Sequence, residues 1–191
     1  VFTAFLDTCV LWPSLQRDVL LSMGFEKLYQ PKWSAAVLEE LAYEEHEKLI
    51  NRGVAAATAK SRVRRLIKEM QSNFTSAEIT DWEDFEVPPG LPDPDDIHVI
   101  AAANVGRVNA IITDNRKDFP ASHLPHSVEV LTPKDFVARM VSRDPETAKT
   151  AVEVMARRSG VHGPRLTASD ILDILEHRYG MTQAADLIRQ V

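Results

Sequence analysis

Eight oxygen-bearing side chains stand out in this sequence by type and spacing. Asp93, Asp95 and Asp96 open the stretch LPDPDDIHVIAAANVGRVNAIITDNRKDFP, Asp114, Asn115 and Asp118 lie near its end, and Asp7 and Glu40 stand far upstream. Carboxylates forced together repel, and their pKa values rise unless a cation neutralises them. For an all-oxygen donor set the natural cation is hard and divalent, Mg2+ or Mn2+. An ion held this way activates water and stabilises charge on a phosphodiester, and paired ions roughly 3.5–4 Å apart recur in nucleases. No Ser-His-Asp arrangement and no glycine-rich phosphate loop offers a different chemistry. The six histidines, His46, His98, His123, His126, His162 and His177, are scattered without ligand spacing and read as surface or satisfied core groups.

For these acids to meet, strand ends and helix starts must share one edge of an α/β fold. The apolar VFTAFL predicts a first central strand with Asp7 at its tip, although an isolated Asp there would serve as an N-cap for the segment from Val10 onward. Lys27 to Gln30 predict a second short strand, Pro31-Lys32-Trp33-Ser34 a turn, and Ser34 the N-cap of a helix closed by Gly53. On that helix Glu40 sits among Val37, Leu38 and Leu41, facing inward or lying at the boundary; the alternative is that Glu39, Glu40, Glu44, Glu45 and Glu47 form a solvated acidic face, which fits most of them. Val54 to Phe74 predict a second helix with Lys60, Arg62, Arg64, Arg65 and Lys68, and Thr80 to Pro92 a surface loop.

The central unit then changes period. Val99 to Ala103 predict an Ala-rich helix ending at Gly106, and Ala110 to Ile112 a buried strand that delivers Thr113-Asp114-Asn115. The carboxyl edge of a parallel sheet is where α/β proteins build sites. Ser127 to Leu131 predict a last strand, and Thr132-Pro133 and Asp144-Pro145 mark helix starts. His162 to Leu166 predict a loop, followed by a helix capped by Thr167 or Ser169 and broken by Gly180, then a short amphipathic segment. This divides the chain into an acid-bearing unit, 1–142, and a helical extension, 143–191, packed on the same body or forming a small lobe.

A chain of 191 residues with ordinary apolar and charged fractions supports one well-buried domain with or without an appendage. A formal charge of −6 excludes a protein that coats nucleic acid by bulk electrostatics, but not a local groove or a bound cation that inverts the field. The single cysteine, Cys9, excludes an intrachain disulfide framework and a multi-Cys zinc site. With no membrane-length apolar run and no basic-then-apolar opening segment, the expectation is a soluble, cytoplasmic protein.

FLDTCVL, the helical Glu40 before a Leu, LPDPDDIHVIAAA and IITDNRKDFP, in this order, resemble a PIN-domain protein, in particular the VapC-type toxin branch of bacterial toxin–antitoxin systems. The resemblance covers roughly residues 1 to 140, and the helical tail is similar in kind. It implies a three-layer α/β/α sandwich around a mainly parallel sheet. It also implies a Mg2+- or Mn2+-dependent endoribonuclease acting as the toxin of a type II pair, with an RNA substrate, a cognate small antitoxin and a possible homodimer as partners.

Carried over by position, Asp7 matches the family's first acid, Glu40 the second and Asp96 the third, and Asn115 falls at the fourth, where many relatives have Asp and some have Asn. An Asn there leaves one carboxylate fewer for a second ion. Asp95 is the expected outer ligand, and Asp114 the neighbour whose side chain strand alternation sends the other way. Arg116 and Lys117 directly follow Asn115 and are the expected RNA contacts, in preference to the basic helix. Two alternatives stay open. One is a PIN-like interaction module without catalysis. The other is a haloacid-dehalogenase-type phosphatase, which needs a second Asp where this chain has Cys9, here read as a small packing residue.

Overall fold

A computed structural model describes residues 1–125, 127–161 and 163–191; His126 and His162, and with His162 the start of the expected loop, lie outside the described residues. Five strands, β1 (Thr3–Leu6), β2 (Gln30–Ser34), β3 (Glu78–Ile79), β4 (Ala110–Ile112) and β5 (Glu129–Leu131), form one parallel sheet in the order β3-β2-β1-β4-β5. Phe5 lies opposite Lys32 on one side and Ile111 on the other. Helices flank the sheet, so its central strands bury both faces. That is why β1 and β4 are continuous apolar runs rather than alternating ones.

The chain winds outward from β1 to β3, then crosses back to place β4 on the other side of β1. The switch point lies between β1 and β4, and their carboxyl ends deliver Asp7 and Thr113 to the same edge. Between the strands run α1 (Thr8–Leu11), α2 (Ser14–Phe25), α3 (Ala35–Asn51), α4 (Ala56–Asn73) and α5 (Ile97–Val105). Ser34 caps α3 by accepting from the Val37 N–H at 3.3 Å.

Two local expectations are corrected, those for Pro31 to Ser34 and for Glu45, while Gly106 ends α5 as expected. Pro31 to Ser34 are not a turn but the body of β2, with Trp33 fully buried and edge-on to Phe74, ring centroids 5.7 Å apart. The proline is tolerated because Gln30 and Trp33 show where β2 donates: Gln30 N–H to Phe2 O on the β1 side, Trp33 N–H to Ala77 O on the other. β3 pairs only with Trp33 and Ser34, so no strand faces Pro31 there to need a donor. Glu45 does not belong to a solvated face. It is buried against Arg17 of α2 at 3.3 Å, with Lys48 as a second partner, and so ties α2 to α3. Gly106 ends α5 in an ordinary right-handed conformation, and it is a glycine because a Cβ there would meet Ile79 Cδ1 at 2.3 Å. The left-handed turn falls on Arg107.

Four helices follow β5: α6 (Pro133–Arg143), α7 (Pro145–Arg158), α8 (Ala168–Tyr179) and α9 (Thr182–Arg189). Thr132, Asp144 and Thr167 cap the first three through their side chains, Thr167 with a reciprocal bond from Asp170. Phe136 of α6 meets Tyr29 edge-on at 4.7 Å, Arg158 of α7 donates to Ser22 of α2 at 2.9 Å, and Leu175 and Ile188 belong to the same hydrophobic cluster as Phe5 and Ile111. No described helix is long and apolar enough to cross a membrane.

Candidate active site

Asp7 stands at the N-cap position of α1, yet its side chain makes no capping bond. It is turned onto the end of β4 instead. Its Oδ2 accepts from Thr113 Oγ1 at 2.7 Å and from Cys9 Sγ at 3.2 Å, while its own N–H donates to Ile112 O at 3.1 Å. Asp7 and Thr113 are both buried. Cys9 is therefore more than a packing residue. Burial, with the Asp7 charge next, pushes its thiol up to about 12, so it stays protonated and donates to the carboxylate. Neither Thr113 nor this role of Cys9 was foreseen; the signal was a lone polar residue closing an otherwise apolar strand.

Asp96 ends a short 3-10 turn, Pro94–Asp96, in which Asp93 Oδ1 accepts from the Asp95 N–H at 3.0 Å. Asp93 thus has a capping role, and Asp95 is exposed. Asp96 occupies the N-cap position of α5 without a capping bond, leaving its carboxyl for the site. Burial pushes that carboxyl up to about 7, helped by the negative charges of Asp7, Asp93 and Asp118 and opposed by His98.

β4 ends at Ile112, so strand alternation does not govern Asp114. Its backbone N–H turns to Cys9 Sγ at 3.4 Å, and burial together with the Asp7 charge raises its pKa. Asp114 is exposed, and the Asp7 charge is felt at its carboxyl. Asn115 is exposed, its backbone N–H donating to Thr113 Oγ1 at 3.0 Å. Arg116 and Lys117 follow on an exposed 3-10 turn, Arg116–Asp118.

Glu40, on α3, is engaged at both oxygens: Thr8 Oγ1 donates to Oε2, and His98 Nε2 lies 2.9 Å from Oε1. Partial burial works against its charge, but these two hydrogen bonds outweigh it and hold its pKa below the usual value. This contact of His98 was not foreseen from the sequence either. Burial disfavours its charge, but the bond to Glu40 and the carboxylates of Glu40, Asp7 and Asp96 raise its pKa nonetheless.

The donors fit a hard divalent cation in kind: they are oxygens, and burial, with the neighbouring carboxylates next, lifts one carboxyl to about 7. Among the described residues, however, no three His, Cys, Asp or Glu side chains already converge as a metal cage. A surface groove of about 590 Å3 lies elsewhere, between α3 and α4, with Lys60, Arg64 and Lys68 along it and none of these acids in its wall.

Comparison with curated proteins and with solved structures gives no match. The sequence model of the PIN domain matches residues 3–117, from the first residue of β1 to the turn that carries Arg116 and Lys117. That span holds Asp7, Glu40, Asp96, Asp114 and Asn115, together with the Thr113 and His98 contacts, and by it the chain belongs to the PIN domain family.

Proposed function

We propose that this chain is a metal-dependent endoribonuclease and the toxin of a type II toxin–antitoxin pair. PIN domains are generally metal-dependent nucleases, and one observation carries the reading to this chain: the Asp96 carboxyl, driven to about 7 beside Asp7 at the switch point of a parallel sheet. Such a cluster is at ease only when a cation neutralises it. Asp7 and Asp96 would hold a Mg2+ or Mn2+ ion, with Asp114, Asn115 and Asp95 flanking it and Glu40 at its margin. When bound, the ion supplies a Lewis acid that lowers the pKa of water and stabilises charge on a phosphodiester.

The chain's own residues do the rest. Thr113 and Cys9 fix the Asp7 carboxylate, so one oxygen is committed to the protein and the other is free for the site. Arg116 and Lys117, exposed beside Asn115, offer an acidic protein the local positive path that a polyanion needs. A small antitoxin laying a cationic side chain on the same carboxylates would compete with RNA. The single cysteine fits a reducing cytoplasm. We assign nuclease chemistry to residues 1–142 and a buttressing role to 143–191, whose helices share the core of the sheet.

The test is cleavage of total RNA across a Mg2+ and Mn2+ titration, with product ends sequenced. Cuts at defined sites that vanish in EDTA are expected; no cleavage with either ion, or cleavage undiminished in EDTA, refutes the reading. The second reading, an interaction module on the same fold, draws on the lack of a ready-made three-residue cage among the described side chains. It predicts no metal binding at all.

A further inference from the structure

The acids of the site fall into two groups by what surrounds them. The Asp7 charge bears on both Asp96 and Asp114. Glu40 answers instead to His98 and Thr8, one at each carboxylate oxygen. His98 comes from the first turn of α5, two residues after Asp96. Its side chain is only 13% exposed, and its ring sits 6.1 Å from that of Trp82 at a tilt of 58°. The ring faces both groups, bonded to Glu40 and within reach of the charges of Asp7 and Asp96. Its Nδ1 is buried without a partner, so Nε2 is the atom through which it acts in the site.

Hydrogen bonds at both oxygens fix the Glu40 carboxylate on His98 and Thr8, so an ion ligated by Glu40 would have to compete with both donors for its orientation. Asn115 removes charge from another place where a second ion would sit, because affinity for hard cations follows the carboxylate count. We propose that His98 is a positioning residue that holds Glu40 outside the ion's ligand sphere, so that the site takes one divalent cation, on Asp7 and Asp96, with the His98–Glu40 pair in place of a second. This rests on the metal-dependent reading above.

Calorimetric Mn2+ titration of the full chain at one fixed pH, without RNA, counts the ions directly. The wild-type chain binds one ion, and Glu40→Gln still binds one. His98→Leu, which releases Glu40, binds two, and His98→Gln, whose amide restores a donor toward Glu40, returns to one. His98→Asn, too short to reach Glu40, repeats the two-ion result should the leucine variant fail to fold. Two ions on the wild type, loss of the ion in Glu40→Gln, or a single ion in both His98→Leu and His98→Asn overturns the proposal. A wild-type chain that binds no Mn2+ overturns the metal-dependent reading itself, and this proposal with it.

Discussion

Replacing Asp96 by Asn should make the metal-free protein more stable while removing its activity. In the fold the Asp96 carboxyl rises from 3.8 to about 7. At about 1.4 kcal/mol per pH unit that sets an upper bound of ~4 kcal/mol. The carboxyl is about half solvated, and screening reduces the figure to ~1–2 kcal/mol. Because the folded pKa lies above the unfolded one, the folded state binds this proton more tightly. The stability it contributes is present below pH 3.8 and drains away as pH climbs through about 7. An Asn cannot ionise and keeps that stability. In EDTA at about pH 8, Asp96→Asn should therefore melt ~2–8 °C above the wild type, since 1 kcal/mol moves Tm by about 2–4 °C in a chain of this size. At about pH 4 the two should nearly coincide, and saturating Mn2+ at pH 8 should raise the wild type and not the variant. Thermal melts followed by circular dichroism, paired with the RNA cleavage assay, decide it. A gain of the same size at both pH values, or no gain at pH 8, refutes the argument that uncompensated charge on Asp96 is what the cation relieves.

Thr113→Val deletes the donor to Asp7 within an unchanged shape and should cost ~1–3 kcal/mol of stability along with most RNA cleavage; full activity would mean that Asp7 needs no anchor. Asn115→Asp should tighten Mn2+ binding in calorimetry, and if Asp114→Asn changes affinity more than Asn115→Asp does, the fourth ligand position belongs to Asp114. Reversing the charges of Arg116 and Lys117 together should lower the slope of log K for RNA against log salt by about two, whereas reversing Arg64 and Lys68 should leave it alone; the opposite pattern moves the RNA path to α4. Leu175→Ala, in α8, should cost ~2–5 kcal/mol and shift a single unfolding transition, whereas a separate early transition would show that 143–191 folds as its own lobe.

What depends on neighbours in sequence could be read from the sequence. The apolar runs that became β1 and β4, the Ser34, Thr132, Asp144 and Thr167 caps, and the Ala-rich α5 each rest on contacts within a few residues, where type and spacing suffice. The order of acids along the chain marked the family for the same reason, since a motif is a local pattern. β2 was misjudged because Pro31 looks like a turn residue until one knows that no strand lies on its far side. The two-residue β3 and the helix α2 carried too little periodicity to announce themselves.

Only the tertiary structure decided what each acid faces. Asp7 could have been a helix cap; its side chain turns to the end of β4 instead, because pairing of β1 with β4 brings Thr113, distant in sequence, within 2.7 Å of its carboxylate. His98 looked like a stray histidine until α5 crossed the sheet edge and set it against Glu40 of α3. Carboxylate pKa values, like hydrogen bonds, depend on distance in space and on burial rather than on residue type. The sequence by itself could therefore name the acids and the family, while the division between Asp7 with Asp96 and Glu40 with His98 exists only once the parallel sheet has closed.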